Sequence, residues 1–68
     1  MKNIKVYCGT QCYADLVIDN LRHIGYQVPD DFQLQYPSFI YARSNGHVYE
    51  SVEDDSLFEE YVLPLEII

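Results

Sequence analysis

The chain has 68 residues, 49% of them hydrophobic and 15% aromatic, with seven Tyr, three Phe and no Trp. That length makes a single domain, residues 1–68, and the apolar content is too high for a disordered chain. Eleven acids against four bases give a formal charge of −7, which argues against direct contact with a phosphate backbone and permits docking on a basic protein surface.

A domain this small buries little of its surface, so its stability is marginal and often leans on an extra staple or a second subunit. No apolar run approaches the ~20 residues of a membrane span, and the N-terminal MKNIKVYCG holds no signal-peptide apolar region. A cytoplasmic protein without a membrane partner is expected. In that setting Cys8 and Cys12 read as thiols rather than as a structural disulfide.

Asn3 to Cys8 alternates, with Ile4, Val6 and Cys8 on one side and Lys5 and Tyr7 on the other, as in a half-buried strand. Gly9 ends it, and Thr10 is suited to cap a helix over Gln11–Ile24. Tyr13, Leu16, Val17, Leu21 and Ile24 form the expected apolar face of that helix. Asp15, Asp19 and Arg22 fall largely off it, and Ile18 fits neither side. Gly25 is the expected stop, in the left-handed region where glycine costs least.

Tyr26-Gln27-Val28 reads as a short second strand or an extended lead into a loop. The loop runs from Pro29 through Pro37 and carries Phe32, Leu34 and Tyr36, which either pack on the body or form a short strand. A hairpin follows, Ser38 to Ser51, turning at Ser44-Asn45-Gly46. With a three-residue loop and Gly46 left-handed, Arg43 pairs with His47 and Tyr41 with Tyr49. A two-residue Asn-Gly turn shifts the pairing by one position. Ile40, Ala42 and Val48 make one face and Phe39, Tyr41 and Tyr49 the other. One helix covers one face, so the second needs the long loop, the C-terminal segment or another subunit, making a homodimer or higher oligomer one solution.

Glu50 to Glu60 puts six carboxylates in eleven residues: Glu50, Glu53, Asp54, Asp55, Glu59 and Glu60. Asp54-Asp55-Ser56 can cap one helical turn reaching Phe58. Tyr61 to Ile68 reads as a last strand, with Pro64 at an edge or at its break. The expected fold is therefore α+β, one helix on a small, mostly antiparallel sheet in the order β-α-β-β-β.

Few residues carry chemistry. Cys8 and Cys12 flank a helix start, where thiol pKa falls, but their spacing is not Cys-x-x-Cys and no second pair follows. His23 and His47 could complete a ligand set that nothing in the pattern requires. No Ser stands in a nucleophile frame, and neither His has a nucleophile beside it in a recognisable pattern. No enzyme activity, cofactor or metal site is expected. Gly9-Thr10-Gln11, at a strand-to-helix junction, could hold an anion or nucleotide, although it is neither a Walker loop nor a dinucleotide fingerprint. The acidic run with its tyrosines is the main functional feature: carboxylates spaced along a hairpin and turn can imitate phosphates, and Tyr supplies contact area.

Leu21-Arg22-His23-Ile24-Gly25-Tyr26, the hairpin Phe39-Ile40-Tyr41 to Asn45-Gly46-His47-Val48-Tyr49-Glu50-Ser51, Phe58 and Val62-Leu63-Pro64-Leu65 together give a pattern that resembles small phage-encoded proteins of unknown function. The resemblance covers nearly the whole chain, but its motifs are structural and carry no functional residue. Pro64 and the two cysteines depart from the pattern. The resemblance implies phage origin and a role in host takeover or anti-defence, as in anti-CRISPR proteins, nucleic-acid mimics and oligomeric nucleotide sponges. The expected function is a small acidic inhibitor, cytoplasmic in an infected host, that binds a host nucleic-acid-binding defence protein. Its contact residues are expected to be Tyr49, Glu50, Glu53, Asp54, Asp55, Glu59 and Tyr61. The alternative is an oligomeric sponge for a nucleotide signal, using Gly9, Thr10 and Gln11.

Overall fold

The computed structural model describes residues 2–62. Strand β1 (Ile4–Cys8) leads into helix α1 (Gln11–His23), and β2 (Ser38–Ala42) and β3 (Val48–Tyr49) form the hairpin. A 3-10 turn (Asp55–Leu57) precedes β4 (Glu59–Glu60). The sheet has the order β3-β2-β1-β4, with β4 parallel to β1 and the other two pairings antiparallel. This is the α+β fold expected, one helix on a mostly antiparallel sheet, with β4 its one parallel member.

The β1–β2 pairing fixes which side chains meet the helix. Ile4 lies opposite Ala42, Val6 opposite Ile40 and Cys8 opposite Ser38. Ile4, Val6, Cys8, Ile40 and Ala42 are buried with Val48, Tyr26, Val28 and the helix residues Ala14, Val17 and Leu21. Side chains alternate along a strand, so Lys5, Tyr7, Phe39 and Tyr41 stand on the opposite, outer face.

Helix α1 begins as expected. Thr10 is extended, and its Oγ1 accepts from the Tyr13 N–H at 3.2 Å. It ends in a Schellman pair: Tyr26 N–H donates to Leu21 O at 2.9 Å and Gly25 N–H to Arg22 O at 3.1 Å. Gly25 has φ 115°, which a side chain there would strain. The buried face differs from the expected one. Ala14, Val17 and Leu21 are buried, with Ile18 packed beside them, whereas Leu16 is 60% and Ile24 45% exposed. The reason is helical spacing: positions 14, 17, 18 and 21 make an i, i+3, i+4, i+7 stripe, and Ala14 brings the helix close to the sheet.

Gln27 makes a single parallel bridge to His47, so Tyr26–Val28 is an extended lead and not a strand. The segment 29–37 also forms no strand. Phe32, Leu34 and Tyr36 alternate inward against the core, and Tyr36 Oη is buried without a partner among the described residues. Arg22 ties this loop to the helix, donating to Val28 O at 2.9 Å and facing Asp30 at 3.5 Å.

The hairpin takes the three-residue loop. Arg43 N–H donates to His47 O at 2.9 Å, Tyr41 pairs with Tyr49, and Gly46 has φ 91°. Asn45 Oδ1 accepts from His47 N–H at 2.9 Å, and Asn3 Oδ1 accepts from Ser44 N–H at 2.6 Å, which pins the turn to β1. Strand β3 is short, ending at Tyr49 rather than at Ser51. The last described strand begins at Glu59, two residues before the expected one, with Tyr61 N–H still donating to Lys5 O at 2.9 Å. Its two residues are exposed acids, so no apolar alternation marks it in the sequence. Leu63 to Ile68, including Pro64, lie outside the described residues.

The helix face gives a direct test. Leu21→Ala should cost about 2–5 kcal/mol, comparable with the whole margin of about 3–5 kcal/mol for a domain of this size, and leave the chain largely unfolded. Leu16→Ala should change stability by less than about 0.5 kcal/mol. Urea denaturation followed by circular dichroism reads both; equal losses would contradict this packing.

Candidate functional site

The outer face of the sheet carries a row of rings. Tyr7 meets Phe39 edge-on at a centroid distance of 5.3 Å, Phe39 stacks on Tyr41 at 5.9 Å, and Tyr41 meets Phe58 edge-on at 5.3 Å. Tyr49 lies opposite Tyr41 on the same face. Strands β1 and β2 are the two central strands, so the row runs across the middle of the sheet.

The second face is covered in part by the chain that follows β3. Strands β3 and β4 are at opposite edges, so residues 50–58 must cross the sheet. They cross the outer face. Phe58 is buried against Tyr41, and the Asp55 carboxylate lies 3.5 Å from Lys5 Nζ. Phe58 therefore plays the covering part that the sequence left open between loop, tail and subunit. The cover is incomplete: Tyr7 remains 56% and Tyr49 36% exposed.

Two cations rest on these rings. Lys5 Nζ stands 5.7 Å from the Phe39 centroid, and the Arg43 guanidinium 5.7 Å from that of Tyr49. Such contacts are electrostatic attractions to the ring face. Among the described residues Lys2, Lys5 and Arg22 each lie within 4 Å of a carboxylate, and Arg43 does not.

The expected contact residues do not gather into one patch. Tyr49 is on the outer face at the β3 edge, where Asn45 Nδ2 donates to its hydroxyl at 3.3 Å. Glu50 and Glu53 are exposed beside it, with no base within 4 Å among the described residues. Asp54 caps the 3-10 turn and Asp55 pairs with Lys5. Glu59 faces Lys2 at 3.9 Å, at the far edge. Tyr61 belongs to the helix side, its hydroxyl donating to Asn20 Oδ1 at 2.9 Å. The outer face joins Tyr49, Glu53, Asp54 and Asp55, leaves out Tyr61 and Glu59, and has Glu50 exposed at its β3 edge. It adds Tyr7, Phe39, Tyr41 and Arg43. Their signal was present in the alternation of Tyr7 with Val6 and Cys8, and of Phe39 and Tyr41 with Ile40 and Ala42.

The Gly9-Thr10-Gln11 junction forms an ordinary capped helix start. Thr10 Oγ1 and O take the Tyr13 and Ala14 N–H groups, and Gln11 Nε2 donates to Asp15 Oδ1 at 2.8 Å. Asp15 thus brings negative charge to the turn where an anion would need the opposite. Cys8 is fully buried among apolar side chains, and burial pushes its thiol up to about 11. Cys12 is exposed. No group of three metal-ligating side chains comes together among the described residues, and no described helix is long and apolar enough to cross a membrane. Comparison with protein families, with curated proteins and with solved structures finds no match for this chain.

Asp54 accepts from the Ser56 hydroxyl at 2.6 Å and from the Ser56 N–H at 3.0 Å. These bonds hold its carboxyl below the ordinary 3.8, the side-chain bond contributing most. A lowered folded pKa means that its stabilisation of the turn is present above the unfolded value and is lost as pH falls through the folded one. Carboxyl NMR should place the Asp54 midpoint below 3.8, and Ser56→Ala should raise it; a midpoint unmoved by that substitution contradicts the assignment. In native protein at neutral pH a chromogenic disulfide reagent should label Cys12 promptly and Cys8 only as the fold opens. Equal rates for the two thiols would exclude a closed core around Cys8.

Proposed function

We propose that the chain is a non-enzymatic binding protein that docks on a basic protein surface through the outer face of its sheet. The observation that carries this reading is an aromatic row bordered by unpaired carboxylates. Interfaces concentrate aromatic residues at their centre and polar groups at their rim, and Tyr and Arg dominate their energetics. Here Tyr7, Phe39, Tyr41 and Tyr49 supply the centre, and Glu50 and Glu53 part of the rim. The charge of −7 steers such a surface toward positive potential and away from nucleic acid and from a second copy of itself.

A basic protein groove that normally holds nucleic acid presents the charge this face complements. Together with the resemblance to small phage-encoded proteins, that supports an inhibitor of a host nucleic-acid-binding defence protein, acting by occupying the groove. The nucleotide-sponge alternative has less support, because the Gln11 side chain is turned to Asp15, whose carboxylate puts negative charge beside the helix start.

The test is a charge reversal confined to side chains without structural duties. Asp54 and Asp55 hold the 3-10 turn, so Glu50→Lys with Glu53→Lys is the cleaner pair. The tagged wild-type chain, used as bait in a bacterial lysate, should retain a basic nucleic-acid-binding protein at about 0.1 M salt and release it as screening shortens toward about 1 M. The reversed variant should retain roughly tenfold less of the same protein. Undiminished capture by the variant, or a partner indifferent to salt, would overturn the reading.

A further inference from the structure

We infer that the exposed end of the aromatic row, at Tyr7, is a seat for an arginine side chain of the partner, with Glu60 as its counter-charge. The inference rests on the reading of the outer face as a docking surface for a basic protein. Tyr7 is the most exposed ring of the row, and its edge-on contact with Phe39 orients it before any partner arrives. Glu60 pairs across from Lys5, and Tyr7 stands two residues further along the same face of β1. Ring and carboxylate are therefore diagonal neighbours on adjacent strands, within reach of one long side chain. Both line an open recess of about 460 Å³, with Tyr13 and Tyr61 also on its wall. No described base lies within 4 Å of Glu60.

Two positive features touch this recess, and each has an acceptor of its own within the chain. Lys5 is turned toward Asp55 at 3.5 Å and over the Phe39 ring. The helix start at Thr10 is capped through the Tyr13 N–H. What remains is a ring face and a free carboxylate, the combination that a cation recognises.

Both kinds of cation already rest on rings in this chain, and shape and hydration indicate which suits the seat. Arg43 rests on the Tyr49 ring with no carboxylate within 4 Å among the described residues, whereas Lys5 lies over Phe39 and also reaches Asp55. A guanidinium is planar and weakly hydrated, so it can lie on a ring and still fork onto a carboxylate; an ammonium is a strongly hydrated point charge. Tyr7 beside Glu60 offers both contacts to one guanidinium.

Calorimetry with the full chain tests this using two short capped peptides, one of alternating Gly and Arg and one of alternating Gly and Lys, at about 0.15 M salt. The arginine peptide should bind roughly tenfold tighter. Tyr7→Ala should remove that preference and Tyr7→Phe should keep it. Glu60→Gln, of the same shape, should weaken the arginine peptide severalfold, which keeps the test decisive if Tyr7→Ala fails to fold. Equal affinity for the two peptides overturns the arginine seat and leaves docking on a basic surface standing. A preference that survives both Tyr7→Ala and Glu60→Gln also overturns it. Binding of neither peptide overturns the seat and the docking face together.

Discussion

The five-residue antiparallel pairing of β1 with β2 is the contact on which everything else depends. It sets Ile4, Val6, Cys8, Ile40 and Ala42 against the helix and, by alternation, sends Lys5, Tyr7, Phe39 and Tyr41 the other way. A slip of one residue would exchange the two sets and put rings and a lysine under the helix. Asn3 guards against that slip. Its side chain receives the Ser44 N–H at the hairpin turn, and its carbonyl separately holds β4 in place through the Glu59 N–H.

With one helix available, the sheet has a covered face and a problem face. The chain solves part of that problem within itself by carrying residues 50–58 across the outer side, held by Phe58 on Tyr41 and Asp55 on Lys5. The same crossing explains why half of the acidic run has structural work. Asp54 shapes the turn, Asp55 neutralises a lysine set among rings, and Glu59 faces Lys2. The carboxylates left over, Glu50, Glu53 and Glu60, border the rings that the crossing leaves open. Function is read from that remainder, since a charge already paired within the chain offers little to a partner.

The loop from Pro29 to Pro37 closes the core on the other side. It makes no ladder, yet Phe32, Leu34 and Tyr36 alternate inward like a strand, and Arg22 holds its start through the Val28 and Pro29 carbonyls. A small domain thus gains a third wall without a third layer. The cost includes the Tyr36 hydroxyl, buried without a partner among the described residues.

Local signals were legible from residues alone. Thr10 and Gly25 bracket the helix because a hydroxyl cap and a left-handed stop act within one turn, and Gly46 sets the hairpin loop for the same local reason. Alternation set Tyr7 on one side of β1 and Phe39, Tyr41 and Tyr49 on one face of the hairpin, and the pairing places them on the same side of the sheet. Tertiary structure decided what local chemistry does not encode. It chose the stripe of Ala14, Val17, Ile18 and Leu21 for the helix interface and left Leu16 outside, because one turn of the helix can set only one stripe against the sheet. It drew Glu59–Glu60 into a parallel edge strand, where pairing is supplied by β1 rather than by any apolar pattern of their own. And it separated Tyr61 from Tyr49 across the sheet, since a chain that crosses a face brings neighbours in sequence to opposite edges in space.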